Sequence, residues 1–226
     1  MILWMLTMAW ADCTSASLHA EPAAEVRLPP RAELLLDAYG MERGVLDKVT
    51  RYTLDGPEGE VPLTVVAHLR GDFQDDQIVL RPEGPLAAGD YVLRFDGTAR
   101  TVWTGQGHAP IRWRVGGKAS VAPTWSGPAS VVDQDRTLFG CGPAVSVTLA
   151  VPVADATWVE VALARDGGEA VTGRVRVDDG RVVIGHGMCS GVFELEMGEA
   201  YTASLTAIGA EGQRVAAPEP VRFIAP

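Results

Sequence analysis

The chain has 226 residues, which suits two domains of roughly 100 residues each better than one small domain. Apolar residues make up 47% of the chain, enough for a packed core, so extensive disorder is not expected. The formal net charge of −10 repels phosphate backbones, and we therefore expect no nucleic-acid partner.

The N-terminus is a short apolar segment followed by small residues, MILWMLTMAWADCTSASLHA. The apolar run from Ile2 to Ala11 is too short for a membrane-spanning helix, which needs about 20 residues, and is typical of a signal peptide. We expect residues 1–20 to be removed by a cut after Ala20, which places the mature protein in the periplasm, in the cell envelope or outside the cell. No later stretch is apolar enough to span a membrane, so the mature chain is predicted to have no transmembrane segment.

Three cysteines are present, and loss of the leader removes Cys13 and leaves Cys141 and Cys189. An even pair in an oxidising compartment predicts a disulfide between them. Lipid attachment at Cys13 is disfavoured, because Asp12 occupies the preceding position, where a small residue is needed.

Glycine and proline divide the chain into short segments in which apolar and polar residues alternate. Alternation with a period of two is typical of a strand buried on one face. A strand is also expected after the two prolines of RLPP, because these disfavour the start of a helix. The predicted strands are AELLLDA, DYVLRF, IRWRV, AVSVTLAVP, WVEVALAR, GVFELEM and a hairpin in GRVRVDDGRVVIG.

The segment RVGGKASVAPTWSGP is rich in glycine, proline and serine, and it separates two groups of strands. We place a linker near residues 116–124, an N-terminal domain at 21–117 and a C-terminal domain at 122–226. Short strands separated by turn residues indicate sandwiches. The expected fold class is all-β, with two tandem immunoglobulin-like antiparallel β-sandwiches.

The C-terminal half resembles fibronectin type III and related immunoglobulin-like domains through TWVEVALAR and YTASLTAIGAEG. The resemblance implies that Tyr201 begins the penultimate strand. It also implies a tyrosine corner, in which the phenol oxygen bonds back to the backbone.

The N-terminal half resembles bacterial immunoglobulin-like domains through LRPEGPLAAGDYVLRF, a phrase that also occurs in the CopC family of periplasmic copper carriers. GQGHAPIRWRV, with His108, stands where that family has a histidine motif before its last strand. The resemblance implies copper bound by His108 and by a terminal His19, which requires cleavage after Leu18.

Other chemistry is weakly indicated. Asp72, Asp75 and Asp76, and separately Asp133 and Asp135, could ligate calcium, but their spacing matches no known calcium loop. The G-x-S-x-G motif of serine hydrolases is absent from the sequence.

Trp158 is out of phase with the apolar face of its strand, so its side chain is a candidate binding surface for a protein or glycan partner. We therefore predict an exported, non-catalytic interaction or structural module of the bacterial envelope, without a cofactor. The alternative is a CopC-like copper-binding protein.

Overall fold

The computed structural model of the chain describes residues 17–23, 26–39, 44–97, 110–140 and 142–226. Within these ranges the protein is all-β, and its helical structure is a single 3₁₀ turn at Leu46–Lys48. Strands β1–β8 form an N-terminal unit that ends at Val115, and strands β9–β18 form a C-terminal unit that begins at Thr124. Residues 116–123, between these two groups of strands, contain no strand, and the linker at 116–124 stays a prediction. None of the described segments is a helix capable of crossing a membrane.

The N-terminal unit is one eight-stranded sheet in the order β1-β3-β6-β5-β4-β7-β8-β2. Its strand pairs are antiparallel except for β2 and β8, which run parallel. The strands are β1 Ser17–Glu21, β2 Arg27–Leu28, β3 Leu34–Tyr39, β4 Val49–Gly56, β5 Gly59–Arg70, β6 Asp75–Pro82, β7 Gly89–Gly97 and β8 Arg112–Val115.

Strand β5 makes the sheet turn a corner. Its first residues, 59–63, pair with β4, and its residues 63–70 pair with β6. The change of partner is at Leu63, and an irregularity between Val65 and Ala67 follows it, as expected where a bulge bends a strand. The two halves of the sheet enclose a core that draws on strands from both sides of this corner.

The C-terminal unit is a sandwich of two sheets around a second core. One sheet has the order β10-β11-β15; the other has the order β14-β13-β16-β17, with β18 also on β16. A short pair, β9 with β12, lies beside them. The strands are β9 Thr124–Trp125, β10 Ser130–Phe139, β11 Gly142–Ala150, β12 Val153–Ala154, β13 Trp158–Arg165, β14 Ala170–Arg176, β15 Arg181–His186, β16 Ala200–Ile208, β17 Arg214–Ala216 and β18 Val221–Ile224.

Several strand predictions are confirmed by the burial of alternate side chains. In β11, Val145, Val147 and Leu149 are fully buried between half-buried neighbours. The predicted strands in AELLLDA, DYVLRF, IRWRV and WVEVALAR correspond to β3, β7, β8 and β13. Most of the strands predicted from alternating apolar residues are therefore present in the structure.

The prediction of a strand in GVFELEM is wrong. Phe193 and Leu195 are buried as the alternation requires, but the segment joins no sheet. Two of its backbone N–H groups donate to side chains instead: the Glu194 N–H to the Asp72 carboxylate at 2.5 Å, and the Glu196 N–H to the Tyr201 phenol oxygen at 2.9 Å. Apolar spacing reports which side chains are buried, but the partner of each N–H depends on the tertiary structure.

The predicted hairpin in GRVRVDDGRVVIG is also wrong, although its turn is correct. Asp179 and Gly180 have φ values of +46° and +68°, as a tight turn of this kind requires. Only Asp178 and Arg181 pair across it. Beyond them the two strands separate, because β14 belongs to the five-stranded sheet and β15 belongs to the three-stranded one.

The tyrosine corner implied by the fibronectin-like resemblance is present. The Tyr201 oxygen accepts the Glu196 N–H at 2.9 Å and donates to the Glu194 carbonyl at 3.5 Å. Tyr201 is the second residue of β16 and is 5% exposed. Because burial removes the phenol from water, its pKa is raised above the ordinary value of a tyrosine.

Candidate interaction surface and the junction between the units

Strand β10 is the most exposed long strand of the C-terminal unit. Every residue from 132 to 140 is exposed, and the strand lies at the edge of its sheet, paired on one side with β11. Three apolar side chains stand out along it: Val132 is 50% exposed, Leu138 is 66% exposed and Phe139 is 50% exposed. A long edge strand with exposed apolar side chains is a template for pairing with another chain.

The exposure extends to the face of β10 that would ordinarily be buried. Gln134 and Arg136 lie opposite Val147 and Val145 of β11, so they share the core-facing side of the sheet. The Val147 and Val145 side chains are fully buried, whereas Gln134 and Arg136 are exposed. The Gln134 amide donates to the Ile224 carbonyl of β18 at 2.9 Å. The second sheet therefore covers β11 but does not cover this part of β10.

Trp158 lies at the junction between the two units and not on a free surface. It is 0% exposed and packs with Ile208 of its own unit and with Leu35 and Val79 of the N-terminal unit. The prediction of a solvent-facing binding surface at Trp158 is therefore wrong. The side chain does point away from the core of its sandwich, as its phase in the strand predicts, but β3 and β6 cover that outer face.

A buried ion pair crosses the same junction. The Arg174 guanidinium lies 2.7 Å from the Glu33 carboxylate, and both side chains are 2% exposed. Glu33 also pairs with Arg81, and the Arg174 Nε lies 3.5 Å from Glu160, which in turn pairs with Arg214. Each charge thus has an opposite charge beside it, which offsets the cost of removing it from water.

The Gln77 side chain of the N-terminal unit bonds to the backbone of Arg174 in the C-terminal unit. Its side-chain oxygen accepts the Arg174 N–H at 2.8 Å, and its NH₂ group donates to the Arg174 carbonyl at 3.0 Å. Gln77 is 1% exposed, so both bonds are shielded from water. In addition, the Glu33 N–H donates to the Ala210 carbonyl at 2.9 Å, and the Gly191 N–H donates to the Phe73 carbonyl at 2.8 Å. These bonds connect the two units directly across the junction.

A groove of about 380 Å³ opens at this junction. Three edge strands border it: β1 of the N-terminal unit, and β14 and β15 of the C-terminal unit. Several polar groups along it are already engaged, since Arg176 pairs with Glu21 at 3.2 Å and Gln77 donates to Asp37 at 3.0 Å. Among the described residues that line the groove, the buried Trp158 indole N–H has no hydrogen-bond acceptor.

One cysteine of the predicted disulfide, Cys141, and one histidine of the predicted copper site, His108, lie outside the described residues, as does Cys13. The Cys141–Cys189 bridge therefore stays a prediction. Cys189 is half-buried in the loop after β15. His19 is the third residue of β1, exposed, with its ring stacked 5.8 Å from that of Tyr39. The described residues include no cluster of three or more metal-ligating side chains.

The two aspartate groups differ in their surroundings. Asp75 and Asp76 are 7% and 1% exposed at the start of β6, and Asp72 caps the Glu194 N–H. Asp133 accepts the N–H of its neighbour Gln134 at 2.9 Å on the exposed strand β10. The carboxylates of Asp72 and Asp133 therefore serve as hydrogen-bond acceptors for backbone N–H groups.

Sequence reasoning missed both β10 and the junction. The signal for the junction was present in the three consecutive leucines of β3, because a strand buried on both faces reads as a continuous apolar run. Glu33, Gln77 and Arg174 carried no such signal, since polar residues are ordinarily exposed.

No family model and no curated protein matches the chain. Among solved structures it is similar to pullulanase type I from Bacillus subtilis, with 10% identity over 90% of this chain and 24% of that chain, at a TM-score of 0.29. A two-domain fibronectin type III segment of chicken tenascin matches with 17% identity over 92% of this chain and 96% of that chain, at a TM-score of 0.26.

The Yersinia pseudotuberculosis adhesin InvE matches with 16% identity over 93% of this chain and 59% of that chain, at a TM-score of 0.26. The chain thus spans about a quarter of the length of the pullulanase that it matches. Similarities at TM-scores this low do not indicate a function for this chain.

Proposed function

We propose that the protein is a non-catalytic interaction module of the bacterial envelope, built from two tandem immunoglobulin-like sandwiches, which binds a partner protein along the free edge of β10. The observation that carries the proposal is the run of exposed residues from 132 to 140 on an edge strand. An extended segment of a partner would pair with the free backbone of β10 and cover Leu138 and Phe139.

The charges on β10 favour a foreign partner over a second copy of the chain. Asp133 and Asp135 lie along the strand, and the whole chain carries a net charge of −10. Carboxylates on an edge strand oppose its pairing with another acidic edge. A partner segment with apolar residues and few acidic ones meets no such repulsion.

The junction suits a module that must hold its binding edge in a fixed direction. Glu33, Gln77 and Trp158 are all 2% exposed or less, so these contacts between the units are shielded from solvent. A scaffold of this kind presents β10 without a hinge between the units.

A photo-crosslinking amino acid placed at Phe139 tests the proposal in intact cells that produce the protein. We expect an adduct of higher mass with the crosslinker at Phe139 and none with the crosslinker at Val121, which is 66% exposed but lies in the strand-free interval between the units. Leu138→Asp should remove the adduct. Adducts of equal yield at both positions, or none at Phe139, would contradict the proposal, and recovery of the protein in the cytoplasm would contradict the envelope location.

A further inference from the structure

Strand β1 is an integral part of the N-terminal sheet. Its five residues pair with β3 in an unbroken antiparallel register, from Ser17 opposite Tyr39 to Glu21 opposite Leu35. The Leu18 side chain is 9% exposed and belongs to the hydrophobic core of the N-terminal unit. This strand contains the point after Ala20 at which the sequence predicts removal of the leader.

The chain just after that point is anchored as well. Glu21 pairs with Arg176 of the C-terminal unit at 3.2 Å, and the Pro22 carbonyl accepts the Trp113 indole N–H at 2.7 Å. These contacts fix the direction in which β1 enters the sheet.

Loss of β1 would leave β3 at the edge of the sheet. Leu34, Leu35 and Leu36 of β3 are at most 3% exposed, so both faces of this strand are buried. An uncovered edge with apolar side chains on both faces is prone to pair with other chains. A cut after Ala20 would thus remove a core side chain and expose the backbone of the strand that forms much of the junction.

We propose that the leader is cleaved before Ser17, so that Ser17–Ala20 belong to the mature protein. This inference rests on the proposed envelope role. The sequence upstream offers two pairs of small residues at the spacing that signal peptidase recognises, Ala9 with Ala11 and Thr14 with Ala16. His19 is then internal, and it has no terminal amine with which to bind copper.

Export of the full chain with its own leader, followed by mass measurement and N-terminal sequencing of the exported protein, tests the inference. We expect a mature start at Ser17 or upstream of it. A start at Glu21 or His19 would overturn the inference while leaving export intact. Recovery of only the uncut chain would overturn both the proposed export and the proposed cleavage before Ser17.

A second measurement tests the strand itself in the full chain. Leu18→Asp places a charge in the core and should lower the unfolding temperature by roughly 6–12 °C. Val65→Asp is the matched control, because Val65 also lies in a strand of the same sheet but is 44% exposed. Equal unfolding temperatures for the two variants would show that β1 is dispensable and would overturn the inference.

Discussion

Glu33 and Arg174 stand 141 residues apart in the chain, yet their charged groups lie 2.7 Å from each other at the junction of the two units. Each is 2% exposed at its side chain. A buried charge that loses its partner stays desolvated without compensation, so we expect this pair to couple the folding of one unit to that of the other.

Replacing Glu33 by alanine should therefore lower the free energy of unfolding by about 3–5 kcal/mol, because Arg174 would stay buried without its main partner. Urea denaturation followed by circular dichroism measures the loss. The control is Glu60→Ala, which breaks an ion pair with Arg51 whose side chains are about half exposed. This second change should cost about 1 kcal/mol or less. Equal losses for the two variants would contradict a coupling role for Glu33.

Gly212→Ala tests the same junction through the backbone. Gly212 has a φ of +82°, and a Cβ there would overlap the Glu33 carboxylate. Gly167 is a matched control, since its φ is +78° and a Cβ there would meet no atom within 4 Å. Both substitutions pay the conformational penalty of about 1–2 kcal/mol. Only Gly212→Ala should cost a further 1 kcal/mol, roughly, by displacing a buried charge. Similar unfolding free energies would mean that Glu33 moves aside freely.

Stability should fall as the pH rises above about 10, the usual pKa of an unfolded tyrosine. Burial raises the pKa values of Tyr52, Tyr91 and Tyr201 in the folded protein. Above the unfolded pKa the folded state binds more protons than the unfolded state, so each added pH unit favours unfolding until the folded pKa is passed. Unfolding temperatures recorded from pH 8 to pH 12 check this.

Tyr201→Phe isolates the contribution of the tyrosine corner to that pH dependence. The variant loses the acceptor for the Glu196 N–H and should be about 1 kcal/mol less stable near neutral pH. Its stability should also fall less steeply above pH 10, because one raised pKa is gone. A slope identical to that of the original protein would show that Tyr201 titrates alike in the folded and unfolded states.

The Cys141–Cys189 bridge is tested by mass. The exported protein should gain two hydrogens on reduction, and the chain-entropy model assigns a loop of this length roughly 4 kcal/mol of stabilisation. Cys189→Ser should lose that stability, whereas the same substitution should have no additional effect under reducing conditions. An unchanged mass on reduction would exclude the bridge.

The sequence by itself determined the all-β class and most of the strands, and its resemblance to fibronectin type III domains implied the tyrosine corner. The class and the strands depend on short-range patterns, because alternation along five or six residues decides which side chains face a core. AELLLDA was predicted as a strand on a different local signal, the two preceding prolines, which disfavour the start of a helix.

Only the tertiary structure decided what covers the outer faces. Trp158 looked exposed because its phase excluded it from the core of its own sandwich, and the covering strands β3 and β6 precede it by about 80 residues or more. The GVFELEM segment is buried like a strand but gives its N–H groups to Asp72 and Tyr201. A polar group such as Glu33 is buried together with a partner that is distant in the sequence, and a local sequence pattern does not identify that partner.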